Sequence, residues 1–129
     1  MTHPILALQS TLVAAWRADP DLMVFDAPPA GRAPPYVTIA RHDLLPRDGD
    51  MAAGFEHRLL VHAWTADASR KSAVAMADKL VTIALGASLD SASLAITLRR
   101  HERTDTAIDA EAGRARAAVA LTFFSEPKP

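Results

Sequence analysis

The chain has no cysteine, which excludes disulfides and thiolate chemistry. Its five glycines are scattered at positions 31, 49, 54, 86 and 113, so no glycine-rich loop is available to cradle phosphates. Aromatic residues make up 5% of the chain, too few to interleave with basic residues for base stacking. Neither sign of charge dominates: 14 Lys and Arg stand against 15 Asp and Glu, for a net charge of −1. Such a chain has no overall field that draws it to nucleic acid or anionic lipid. No apolar run approaches the ~20 residues of a membrane span. The opening Met-Thr-His-Pro lacks the basic region of a signal peptide, so synthesis and folding in the cytoplasm are expected. There is also no Gly-x-Ser-x-Gly elbow, no internal repeat and no low-complexity segment.

What is present is 129 residues without a dividing linker, a single domain over 1–129. A chain of this length can bury roughly two-thirds of its unfolded surface. Alanine accounts for 27 of the residues, so the 50% apolar fraction overstates the core. Large side chains are scarce, and a partner interface would supply missing burial.

The stretch from Phe55 to Gly86 organises the rest. Leu59-Leu60-Val61-His62-Ala63-Trp64 is too short for a helix and reads as a central strand. After the polar Asp67-Ala68-Ser69, apolar residues recur at Ala73, Met76, Ala77, Leu80, Val81, Ala84 and Leu85, the stripe of an amphipathic helix. Asp67 or Ser69 suits its N-cap, and Gly86 suits a left-handed residue at its end. Upstream, Pro4 fits a first helical turn, and Ile5, Leu8, Leu12, Ala15 and Trp16 form a second stripe that Asp19-Pro20 ends. Met23-Val24-Phe25 fits a short edge strand, and Ala27 to Pro35 an irregular proline-rich loop.

The expected fold class is α+β: helices Pro4–Ala18 and Ser69–Leu85 packed on an antiparallel-rich sheet of four main strands. Those strands are Tyr36–Arg41, Phe55–Thr65, Leu94–Glu102 and Arg114–Phe124. Leu94, Ile96 and Leu98 should share a buried face. Leu44 to Gly54 reads as a long mobile loop, Thr104 to Gly113 as an acidic loop, and Glu126-Pro127-Lys128-Pro129 as a tail that cannot continue a sheet.

Five histidines raise the question of a metal. His57 and His62 are five apart on one strand and so face opposite ways, and His3, His42 and His101 lie on separate elements. No metal or cofactor site is expected. Asp48 and Asp50 offer too few ligands for a cation. Arg99, Arg100, His101, Glu102 and Arg103, with Arg114 and Arg116 nearby, form the one basic concentration. Alternation splits it over two faces, which suits a solvated strand end or a protein interface better than a phosphate track. Trp16 and Trp64 each end an apolar stripe and are read as core caps.

Ala7-Leu8-Gln9-Ser10-Thr11-Leu12 through Asp19-Pro20, Pro35-Tyr36-Val37-Thr38-Ile39, His57 through Thr65, and Leu121-Thr122-Phe123-Phe124-Ser125-Glu126 follow one another in a familiar order. In that order and at this size, the chain resembles the tail-completion, or tail-terminator, proteins of long-tailed phages and phage-like gene transfer agents. The resemblance implies a structural virion protein, not an enzyme, located in the particle tail. It implies a self-associating ring, commonly a hexamer, at the head-proximal end of the tail tube. Such a ring stops tube growth, meets the tail-tube protein and the head-connector protein, and lets DNA pass without sequence-specific binding. A different connector or tube subunit, an enzyme or small-molecule binder on a generic α+β scaffold, and a small oligomerisation domain remain alternatives.

A ring needs contact surfaces, and the Leu44–Gly54 stretch suggests one. Leu44, Leu45, Met51 and Phe55 are apolar, while Pro46, Asp48, Gly49 and Asp50 oppose a regular element. Docking on the next subunit would bury the apolar residues and order the loop. Arg47, Asp48 and Asp50 would then pair across the seam. The alternative is a solvated loop with no partner.

Overall fold

A computed structural model describes residues 2–49 and 53–129. Two helices and five strands follow in the order α1 (Pro4–Arg17), β1 (Val24–Phe25), β2 (Tyr36–Pro46), β3 (Phe55–Trp64), α2 (Arg70–Gly86), β4 (Leu94–Asp109) and β5 (Arg114–Pro127). Among the described residues the strands form one sheet in the order β1-β2-β3-β5-β4. Every neighbouring pair is antiparallel except β1 with β2. The α+β expectation holds, and the Met23–Phe25 run supplies the fifth, edge strand.

Both helices lie on one face of the sheet. Alternation along β3 and β5 sends Leu59, Val61 and Ala63, and Ala117, Val119, Leu121 and Phe123, towards the helices, where all are buried. α1 answers with Leu8, Leu12 and Trp16, and α2 with Ala73, Ala77, Leu80 and Ala84. Small residues on α2 let it approach the sheet closely, and the large groups come from α1 and the strands. The buried Trp16 indole N–H donates to the Leu80 carbonyl at 3.0 Å and ties the helices together. Ser69 is the N-cap of α2, its hydroxyl accepting from Ser72 N–H at 3.1 Å.

Several boundaries differ from expectation. β2 runs to Pro46, so Leu44 and Leu45 are strand residues facing His57 and Glu56. The loop starts at Arg47, whose N–H donates to the Gly54 carbonyl at 2.8 Å. The ladder to β3 satisfies the backbone there and overrides the turn-forming composition. A Cβ on Gly54 would lie 2.6 Å from the Arg47 carbonyl oxygen, so only glycine fits where the two strands close.

β4 runs to Asp109 instead of ending at Glu102, because β5 gives Thr104 to Asp109 backbone partners. The acidic stretch expected as a loop is therefore half of a long hairpin. Its turn is held by Ala112 N–H donating to Asp109 Oδ1 at 3.1 Å and by Gly113 at φ +69°. β5 likewise continues through Pro127, which pairs with Leu94. β3 ends its pairing at Ser125, so at Pro127 one side of β5 is an open edge where a missing N–H costs little.

Two register shifts, between Ile96 and Leu98 and between His101 and Arg103, break the alternation of β4. The first turns Leu98 outward, where it is 43% exposed, against the expectation of one buried face. It also turns Arg99 inward, where its guanidinium donates to the carbonyls of Ala84, at 3.2 Å, and Ala87. Those carbonyls close α2. Gly86 is not left-handed as expected; the arginine does the capping instead.

Candidate interaction surfaces

The residues expected at a subunit contact lie around the β2–β3 hairpin end. Leu44, Leu45 and Phe55 are half-buried, and Arg47 and Asp48 are exposed. Asp50 and Met51 fall outside the described residues. Strand pairing divides the remainder. Leu44 and Phe55 share the helix side of the sheet with His57, and Leu45 shares the bare side with Glu56. Arg47 Nε donates to Glu56 Oε1 at 3.0 Å, and Arg58 Nε to Glu56 Oε2 at 2.6 Å. The Arg58 hydrogen bond, with Arg47 beside it, outweighs burial and holds the Glu56 carboxyl below its usual range. Asp48 Oδ1 accepts from Gly54 N–H at 3.4 Å. Within one subunit, the hairpin end thus has its own polar partners.

Among the described residues, no helix covers the sheet's other face. Across its end run Leu45, Glu56, Phe124 and Leu98 in register, with Leu60 and Ala120 paired four residues along. Leu45 and Phe124 are half-buried and Leu98 is exposed, a small apolar group around Glu56 that a polar row of Asp43, Arg58, Thr122 and Arg100 separates from the half-buried Leu60. Alternation could have found Leu60, Phe124 and Leu45 in the sequence. Leu98 joins them only through the bulge, which strand periodicity does not reveal.

On the helix side, sequence spacing missed another cluster. Gln9 of α1, His42 of β2, and His57 and Ser125 on neighbouring strands form one hydrogen-bonded chain. Gln9 Nε2 lies 3.0 Å from His42 Nδ1, His42 Nε2 2.9 Å from His57 Nδ1, and His57 Nε2 2.8 Å from Ser125 Oγ. With the glutamine amide donating, each imidazole is neutral, accepts at Nδ1 and donates at Nε2. Burial lowers both pKa values to about 4. His3 adds to the effect on both rings, His42 adds to it on His57, and Asp43 opposes it on His42. His57 and His62 do lie on opposite faces, and no group of three or more potential metal ligands occurs among the described residues. The chain of groups is a structural tie between α1 and the sheet, with its acceptors and donors already matched.

A family model described as tail completion protein gp17 matches residues 10–125. Among solved structures, the chain is similar to one in a structure described as the virion of a native gene transfer agent particle. The two share 21% sequence identity with a TM-score of 0.79, over 97% of this chain and 99% of the other. At that identity the likeness establishes a common fold. No curated protein matches the chain.

Proposed function

Because the chain belongs to the tail completion protein gp17 family, whose members are structural virion proteins and not enzymes, we propose that it closes the head-proximal end of a tail tube as a self-associated ring. The family match over residues 10–125 is the observation that carries this reading. In the ring, a hexamer in the form the family resemblance suggests, the subunits stop tube growth and present a surface to the head connector. DNA passes through without sequence-specific contact, in keeping with a net charge of −1. A heterologous ring needs two unlike patches on each subunit. The hairpin end with Leu44, Leu45, Arg47, Asp48, Asp50, Met51 and Phe55 supplies one. The apolar bare face around Leu98 and Phe124 continues from it.

The test deletes Arg47 to Ala52 and bridges the gap with two glycines. The domain is expected to stay folded, since Arg58 still pairs with Glu56 and loop shortening changes closure entropy little. Tails assembled with this variant should lose length control or fail to join heads. Tails of normal length that join heads normally would remove the hairpin from the ring contact. Particle mass measurement of the purified protein reports the ring directly where it closes without the tube.

A further inference from the structure

At the end of the sheet opposite the 47–54 loop, a cleft of about 200 Å³ opens between the last residues of β3 and the β4–β5 hairpin. Trp64, Ile108, Asp109, Arg114 and Arg116 line it, with alanines between them. Three side-chain N–H groups here are buried and have no acceptor among the described residues: Trp64 Nε1, Arg114 Nε and Arg116 Nε. Buried polar groups are nearly always satisfied, so three orphans in one cleft are exceptional. All three are donors, and two belong to cations. The Arg114 guanidinium stacks on the Trp64 ring, 4.9 Å from its centroid, which fixes the spacing of the two donors.

The acids nearby do not answer them. Asp109 accepts from the Ala112 amide in the turn. Asp105 lies 3.6 Å from Arg116 Nη2 and also pairs with Arg103 at 3.4 Å, leaving Arg116 Nε unpaired.

We propose that this cleft receives the carboxylate of an Asp or Glu side chain presented by a neighbouring protein chain. A carboxylate is acceptor-only, and its planar oxygens match the side-on fork of an arginine. Ile108, Ala107 and the Trp64 ring offer apolar walls for the methylene stem. The volume suits one side chain and not a nucleotide. Asp105 and Asp109 at the rim oppose a phosphodiester chain, whose charges continue in both directions. The orphan N–H groups are buried, so the arginine stems turn towards the acceptor as it enters. The inference does not depend on the 47–54 loop or on ring closure.

Indole N–H resonances in ¹H–¹⁵N spectra of the full chain test it. Trp16 is already bonded to Leu80 and serves as the internal control. The probe is a glutamate blocked at both backbone ends, compared with the equally blocked glutamine, inorganic phosphate and a short single-stranded oligonucleotide. The blocked glutamate should shift the Trp64 resonance saturably and leave Trp16 in place, and the glutamine should not. Arg114→Lys and Arg116→Lys keep the charge but lose the fork, and each should weaken the response about tenfold. No saturable Trp64 shift with glutamate would overturn the proposal, as would an equal response to glutamine. Saturation by phosphate or oligonucleotide at lower concentration would make the cleft a phosphate site and overturn it too. The wild-type comparison of glutamate with glutamine decides the matter even where a lysine variant does not fold.

Discussion

His57 has none of its surface in water, and its two ring nitrogens are both committed to neighbours. An added proton on it or on His42 would set a donor against a donor inside the fold. The folded chain therefore keeps both imidazoles neutral down to about pH 4, whereas an unfolded histidine takes up its proton near 6.5. Their folded pKa values are depressed, so the stability they contribute is fully present above about pH 6.5 and drains as pH falls towards 4. For His57 alone that amounts to about 3 kcal/mol. Thermal melts should show Tm falling steeply across this window, and His57→Gln, which can hydrogen-bond without titrating, should flatten the fall. An unchanged slope in the variant would remove His57 as its cause. The four groups were each visible in the sequence, but nothing in their spacing shows that they meet. Gln9 reaches His42 because α1 packs on β2, and His57 reaches Ser125 because β3 pairs with β5.

At the scale of elements, α2 was the most legible part of the chain. Its 3.6-residue stripe predicted Ala73, Ala77, Leu80 and Ala84 as its buried face, and they are. Leu85 lies at the stripe's margin and is 41% exposed. Leu80 is fully buried under Trp16, so Leu80→Ala should leave a cavity and cost about 2–5 kcal/mol in urea unfolding. Lys79 beside it is half-exposed, off the buried stripe, and pairs with Asp21 at 2.7 Å near the surface, so Lys79→Ala should leave the transition nearly in place. Equal losses in the two would contradict the observed packing.

β4 was the least legible element. Its boundaries and faces depend on two bulges, and a bulge is a property of the pairing rather than of the strand. The inward Arg99 is the consequence that matters for stability. Arg99→Met retains the packing stem and removes the charge and donors from the α2 C-terminus. The expected loss is about 1–2 kcal/mol, with faster amide exchange in the last turn of α2. Protection unchanged there would show that solvent caps those carbonyls equally well.

For the whole molecule, the amino-acid sequence alone determined the class, the order of elements and the main buried faces, because periodicity is local and hydrophobic burial follows it. Order and size together also pointed to tail completion, which the family match then established. The residues that could serve as contacts were a different matter. The sequence marked Leu44 to Phe55 as one loop-borne patch. Strand pairing instead put Leu44 and Leu45 on opposite faces and tied Arg47 back to Glu56. Neither Leu98 on the bare face nor the Trp64–Arg114–Arg116 cleft could be read from spacing. Leu98 is placed by a bulge, and the cleft by the return of a long hairpin beside the end of β3. Both depend on which strands become neighbours and in what register. Register is settled by the summed burial and hydrogen bonding of the whole sheet, and no short stretch of sequence carries that sum.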